Sequence, residues 1–92
     1  MTTVTISEIA EADLVAIISY TKIEWGNSQA KVVKMQLQSA ILFLSNFPEC
    51  GHPTKQPGAF SRIVPKVPFV ILYKYTKNKV TILQILHTKR NR

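Results

Sequence analysis

The spacing of apolar residues changes abruptly in the middle of this 92-residue chain. Up to Phe47 most apolar residues recur every three or four positions, which is typical of α-helices, whereas after Gly58 they alternate or form short runs, which is typical of β-strands. Between these parts, residues 48–58 contain three of the five prolines and two of the three glycines, a composition typical of a loop. The chain therefore combines a helical first half with a β-rich second half.

The first half predicts one short strand and two helices. Alternation over residues 3–6 indicates an opening strand, and Ser7 is a residue type that caps helix N-termini. We expect the first helix to end near Trp25, where a Gly-Asn pair interrupts the pattern, and Asn27 or Ser28 to cap the second. A connection of about two residues makes the helices an antiparallel hairpin. Their apolar stripes are Ala10, Leu14, Ile17, Ile18 and Thr21 in the first helix, and Ala30, Val33, Leu37, Ala40, Ile41, Leu44 and Phe47 in the second.

The second half predicts three strands, over residues 60–64, 69–76 and 80–87, all rich in β-branched and aromatic residues. The order β-α-α-β-β-β predicts an α+β fold in which the helical hairpin packs on one face of a small, mainly antiparallel sheet, as one domain over residues 1–92. The Lys77-Asn78 pair marks a tight turn between the last two strands. Because no element is left to cover the second sheet face, apolar strand residues should be exposed there.

The charge of the chain is positive and unevenly distributed. The net charge of +7 divides into −3 over residues 1–26 and +10 over residues 27–92, and no acidic residue follows Glu49. Such an excess predicts a basic face that meets phosphates or carboxylates. The alternative is a generally basic surface that keeps the protein soluble.

Several classes of protein and of site are excluded by the sequence. The apolar runs are far shorter than the ~20 residues that span a bilayer, and the first residues lack the pattern of a signal peptide. We therefore expect a soluble, cytoplasmic protein without membrane association. A single cysteine, Cys50, excludes an internal disulfide and a four-thiolate zinc site.

The sequence lacks the residue patterns that most types of catalytic site require. The glycines are isolated, so no phosphate-binding loop exists, and Cys50, His52 and His87 lack the spacing of a metal site. We expect no cofactor and no metal. Glu49 is the only acid after residue 24, which argues against a pair of catalytic carboxylates. A Cys50–His52 nucleophile pair would have no acid nearby to orient it, so an ordinary surface cysteine is the preferred interpretation.

Cations on and after the strands are the remaining candidates for a functional site. Arg62 lies in the middle of a predicted strand, so it either pairs with a carboxylate from the first helix, Glu8, Glu11 or Asp13, or faces an external anion. His87, at the end of the last strand, either carries a proton or bonds a neighbouring carbonyl. The whole set comprises Arg62, Lys66, Lys74, His87, Lys89, Arg90 and Arg92.

Three segments form a recognisable pattern when they are taken together. They are Ala12-Asp13-Leu14 with Ile17-Ile18 and Tyr20; Leu44 with Pro48 and Gly51; and Arg62, Pro68 to Tyr73 and Val80 to Arg90. This pattern resembles the RelE/ParE superfamily of toxins from bacterial type II toxin–antitoxin operons. It is most similar to the ParE-like branch, in which an Ile-Leu stretch leads into His-x-x-Arg, here His87 to Arg90. The resemblance implies the same β-α-α-β-β-β fold and a toxin that a cognate antitoxin holds inactive in a hetero-oligomer.

The resemblance leaves two targets, because one branch of the superfamily cuts messenger RNA on the ribosome and another poisons DNA gyrase. The nuclease branch typically carries an arginine where this chain has Val70, and no aromatic residue follows His87. If the protein is a nuclease, the catalytic candidates are Arg62, His87 and Arg90, with His87 as the base. We therefore predict a gyrase-inhibiting toxin of the plasmid-stabilisation type that is not itself an enzyme. The alternatives are a ribosome-dependent mRNA interferase and a non-toxic basic nucleic-acid-binding module.

The predicted interaction residues follow from the cationic cluster and the resemblance. For the target or another anion they are Arg62, Lys66, Tyr73, His87, Lys89 and Arg90. The antitoxin should be acidic, ParD-like or similar, and should lay an extended or helical segment along the helices and the uncovered sheet face.

Overall fold

A computed structural model describes residues 2–88 and confirms the predicted architecture. Two helices pack on one face of a five-stranded sheet with the order β1-β5-β4-β3-β2. β1 pairs with β5 in parallel, and the other pairs are antiparallel. The elements are β1 (Thr3–Ile6), α1 (Glu8–Trp25), α2 (Asn27–Asn46), β2 (His52–Pro53), β3 (Ala59–Ile63), β4 (Phe69–Thr76) and β5 (Lys79–His87). The two-residue strand β2 was not predicted, because so short a segment in a proline-rich loop shows no periodicity.

The start of α1 was predicted correctly, whereas that of α2 was not. The Ser7 hydroxyl accepts a hydrogen bond from the Ala10 amide at 3.0 Å, which is an N-cap. α2 begins at Asn27 itself, and its N-cap is Gly26, without any side-chain hydrogen bond. Gly26 has φ +93°, a conformation that glycine adopts at little cost. The helices are therefore joined by a single residue, which leaves no position outside α2 for Asn27 or Ser28 to act as a cap.

The core lies between the helices and the covered face of the sheet. From the helices it contains Ala10, Val33, Leu37, Ala40 and Leu44, and from the strands and turns Val64, Val67, Phe69, Ile71, Tyr73, Val80, Ile82 and Ile85. Phe47, predicted to belong to the buried stripe of α2, is 56% exposed. It lies just beyond the last helical residue, as the C-cap, where the backbone no longer follows the helical period.

The two faces of the sheet differ in what covers them. The register aligns Arg62, Ile71 and Ile85 across three strands on the helix-covered face, and neighbouring residues along each strand point the other way. The opposite face carries Ile63, Val70 and Leu86 in one such row, with Ile63 63% exposed. No helix in the described part of the chain packs on that face, as predicted. The predicted exposure of its apolar residues is confirmed for Ile63 but not for Val70, which is only 7% exposed, while Leu86 is half-buried.

Two polar side chains from the start of α1 fasten that helix to β5. β1 ends at Ile6, so β5 loses its parallel partner beyond Ile82. There the Ser7 hydroxyl donates to the Leu83 carbonyl at 3.0 Å, and the Asp13 carboxylate accepts from the Ile85 amide at 3.0 Å. These bonds satisfy backbone groups that would otherwise be unpaired, and they set the position of the helical hairpin against the sheet.

The β4–β5 hairpin closes through the predicted turn. Lys77 and Asn78 have φ of 51° and 62°, the left-handed values that a tight hairpin turn of this kind requires at both central residues. The strands are in register from this turn up to an irregularity at Leu72 and Tyr73, where β5 contributes one extra residue.

Candidate functional site

Arg62 lies on the helix-covered face of β3, where α2 rather than an acid is its neighbour. Its guanidinium carbon stands 4.6 Å from the centre of the Phe43 ring on α2, a cation–π contact. Its Nε atom is buried and has no hydrogen-bond partner. Of the predicted acidic partners, Asp13 is hydrogen-bonded to the Ile85 amide instead, and Glu8 and Glu11 are exposed on α1. Within residues 2–88, therefore, Arg62 forms no ion pair, and the anion-facing alternative agrees with the geometry.

Exposed aromatic rings adjoin this guanidinium. The rings of Phe43 and Phe47 lie 4.8 Å apart at an angle of 34°, and both side chains are exposed to solvent. Together with Arg62 they form what we call the Arg62 aromatic patch. It combines one positive charge with apolar surface at the C-terminal end of α2, and arginine and aromatic residues are the types that dominate binding energy at protein interfaces.

His87 lies on the same sheet face as Arg62 but is not adjacent to it. His87 pairs with Phe69 in the register, whereas Arg62 pairs with Ile71, so the two residues lie two strands apart and two positions apart along the strands. At ordinary strand spacings their Cα atoms are therefore about 12 Å apart. The Phe69 ring contacts the imidazole edge-on, with 5.3 Å between centroids. The structure thus brings two of the three catalytic candidates onto one face, with β4 between them.

Tyr73 occupies a different environment from the one predicted for a target-binding residue. Its side chain is fully buried, and its hydroxyl donates to the Pro48 carbonyl at 2.8 Å and accepts from the Gly51 amide at 3.0 Å. Burial raises the pKa of Tyr73 above its ordinary value, against the lowering effect of the Gly51 hydrogen bond, and the neighbouring Cys50 raises it further. Tyr73 therefore holds the loop after α2 in place from inside the core.

The other predicted cations are dispersed. Lys66 is exposed in the turn between β3 and β4, with φ +71°, and Lys74 is exposed on the uncovered sheet face. Lys89, Arg90 and Arg92 lie outside the described residues. Within residues 2–88, therefore, the two lysines do not join Arg62 in a continuous basic cluster.

An apolar groove lies at the β1 edge of the sheet and was not predicted. It has a volume of about 460 Å³ and is lined mainly by Val4, Ile6, Leu14, Ile41 and Leu42. β1 pairs only with β5, so its other backbone edge borders this groove. The groove draws on three elements, and the sequence signal that could have indicated it is Leu42, an apolar residue that lies off the buried stripe of α2.

The described residues show neither a membrane span nor a metal-binding cluster. Neither helix within residues 2–88 has the length and apolar content needed to cross a bilayer. Nor do three or more His, Cys, Asp or Glu side chains of this part of the chain group together as metal ligands would.

Cys50 is half-buried beside the Tyr73 hydroxyl, whereas His52 is exposed on the edge strand β2.

Comparison with known proteins identifies the family. Residues 4–92 match the model of a family described as ParE toxin of type II toxin-antitoxin system, parDE. The chain belongs to the ParE toxin family. Its sequence is 30% identical to Toxin ParE1 of Caulobacter vibrioides over 86 residues, which cover 94% of this chain and 88% of that protein.

Solved structures support the same assignment at the level of the fold. The chain resembles one from the chromosomal ParDE TA system of P. aeruginosa, with a TM-score of 0.83, 21% identity and coverage of 95% of this chain and 96% of that one. It also resembles the isolated E. coli RelE toxin, with a TM-score of 0.69, 14% identity and coverage of 100% and 89%. The predicted RelE/ParE superfamily membership and fold are thereby confirmed, and this protein is a ParE-type toxin of a type II toxin–antitoxin system.

Proposed function

We propose that this ParE-family toxin acts by inhibiting DNA gyrase, that it is not itself an enzyme, and that an acidic cognate antitoxin neutralises it. The family match over residues 4–92 carries the proposal, because it covers nearly the whole chain and names the ParE rather than the RelE type. The geometry of the cationic residues supports it independently.

Ribonuclease chemistry requires a base and an acid on either side of the reacting phosphate, together with cations that stabilise its developing charge. Arg62 cannot serve as the base, because a guanidinium does not lose its proton in proteins. Tyr73 is fully buried, which leaves His87 as the base among the predicted site residues that the structure describes. Val70, at the position where the nuclease branch has arginine, lies on the uncovered face between Ile63 and Leu86 and adds no charge. This arrangement is better suited to binding a partner than to cleaving RNA.

The antitoxin is expected to combine apolar contacts with charge pairing. The groove beside β1 and the exposed Ile63 on the uncovered sheet face offer contact surface to an extended or helical segment. The chain carries +7 overall, so an acidic partner gains long-range attraction as well. We place the action of the toxin in the cytoplasm, where a gyrase-directed protein would meet its target.

A supercoiling assay tests the proposal. Purified toxin is added to gyrase and relaxed plasmid, and to a matched relaxation reaction with a type I topoisomerase as the specificity control. We expect loss of supercoiling with the control reaction unaffected, and intact messenger RNA when the toxin is incubated with translating ribosomes. Normal supercoiling together with ribosome-dependent cuts would establish the RelE-like alternative instead. Salt-sensitive nucleic-acid binding without either effect would establish the non-toxic binding module.

A further inference from the structure

We infer that the Arg62 aromatic patch is a binding site for a carboxylate side chain of an acidic, partly apolar protein segment. The inference rests on the proposed acidic antitoxin and specifies one contact that such a partner makes. The patch consists of Arg62, Phe43 and Phe47, as defined above.

Within residues 2–88, no acidic side chain compensates the charge of Arg62. Its Nε is buried without a hydrogen-bond partner, and a buried donor left in that state is unfavourable. The carboxylate that could have reached from the start of α1, Asp13, is occupied by the Ile85 amide. No acidic residue follows Glu49 anywhere in the sequence. A carboxylate supplied from outside would compensate this charge by accepting hydrogen bonds from the terminal guanidinium nitrogens, because the buried Nε is not accessible to a ligand.

The Phe43 ring prepares the guanidinium for such a ligand. Contact with the ring at 4.6 Å restricts the orientation of the planar group before any partner arrives, so less side-chain freedom is lost on binding. A restrained guanidinium also presents its nitrogens in the fixed fork that matches the two oxygens of a carboxylate. A lysine at this position would offer neither property.

The surroundings favour a protein carboxylate over the phosphates of a nucleic acid. Proteins that follow a phosphate backbone use several cations along one surface. Among residues 2–88, the nearest strand lysine in the register, Lys74 on β4, is on the opposite face of the sheet, and Lys66 lies in the turn beyond β3. The exposed Phe43 and Phe47 rings of the patch offer apolar surface instead, which can bury apolar side chains of a protein segment.

Peptide selection on the purified full-length chain tests the inference. A phage library of random twelve-residue peptides is panned on the wild-type protein and counter-selected on Arg62→Gln, and the affinity of the best peptide is measured by fluorescence polarisation at physiological salt. We expect the selected peptides to combine Asp or Glu with apolar residues. The dissociation constant should rise about 10- to 100-fold for Arg62→Gln, the range expected when hydrogen bonds to a charged group are lost.

Matched variants distinguish the loss of a specific contact at Arg62 from a change in overall charge and from misfolding. Lys74→Gln removes the same charge from the opposite sheet face and should change the affinity less than about twofold, whereas Phe43→Leu should weaken it about two- to fivefold. Arg62→Lys keeps the charge but not the fork and should resemble Arg62→Gln. Circular dichroism checks that each variant is folded, and only folded variants are compared.

Three results would overturn the inference. They are selected peptides without acidic residues, equal losses for Arg62→Gln and Lys74→Gln, and displacement of the peptide by a DNA duplex in wild type but not in Arg62→Gln. None of these results depends on gyrase, so the carboxylate-binding site and the proposed gyrase target can be disproved independently of each other. If gyrase supercoiling were unaffected by the toxin, Arg62-dependent binding of acidic peptides would still support this inference.

Discussion

Replacing Tyr73 by phenylalanine removes a single oxygen atom from the centre of the structure. That oxygen bridges the Pro48 carbonyl, at 2.8 Å, and the Gly51 amide, at 3.0 Å, while the ring stacks on Phe60 with 5.5 Å between centroids. The phenyl ring keeps the stacking, so the change isolates the two hydrogen bonds. Each is worth about 1 kcal/mol, and a backbone group left unsatisfied raises the loss, so we expect destabilisation by about 2–3 kcal/mol.

Chemical and thermal denaturation measure this effect. For a domain of this size, such a loss corresponds to a decrease in Tm of roughly 10–20 °C. Tyr75→Phe is the matched control, because it lies on the same strand, is half-buried, and its hydroxyl makes no hydrogen bond within residues 2–88. We expect that control to change the unfolding free energy by less than about 0.5 kcal/mol. Equal effects of the two substitutions would refute the assignment of Tyr73 as the residue that fastens the loop to the core.

Further tests address pH, packing and helix capping. Because burial raises the pKa of Tyr73, the neutral phenol is the form that favours folding. Stability should therefore be unaffected by this group below pH ~10 and decrease as the pH rises through the folded-state pKa, and urea unfolding from pH 8 to 11 should show a smaller alkaline decrease in Tyr73→Phe. In Gly51→Ala the new Cβ would lie 2.5 Å from the Tyr73 hydroxyl, so we expect a loss of about 1–3 kcal/mol; a wild-type urea midpoint would contradict this. Ser7→Ala should lower the unfolding free energy by about 1–2 kcal/mol, because it removes both the cap of α1 and the bond to Leu83, whereas Ser28→Ala, which alters no cap, should be neutral.

The secondary structure was largely predictable because it depends on local patterns. Periodicity located both helices, the opening strand and the three longer strands to within a residue or so at each end, and the left-handed turn at Lys77 and Asn78 followed from the residues themselves. The parallel pairing of β1 with β5 and the extra residue near Leu83 depend on partners far apart in the chain, which periodicity does not encode. The predicted cap of α2 was wrong because Gly26 alone connects the two helices.

The candidate site was predictable in its residue types but not in its arrangement. Arg62 was predicted to be either paired or anion-facing, and the structure does not show the predicted pairing, because Asp13 instead accepts a hydrogen bond from the Ile85 amide, 72 positions away in the chain. Tyr73 belonged to a strand whose two faces the sequence could not assign, so its buried hydroxyl, bonded to the loop after α2, was not foreseen. The groove beside β1 is formed by three separate elements, and no single segment of sequence reveals such a surface.

The topology of plasmid DNA in cells tests the proposed target most directly. The toxin is induced without its antitoxin, and plasmid is extracted at short intervals and resolved by gel electrophoresis with an intercalating dye. If gyrase is inhibited, relaxed topoisomers should accumulate before growth stops, and co-induction of an acidic antitoxin should restore the supercoiled distribution. Arrested growth with unchanged plasmid topology would contradict the proposal.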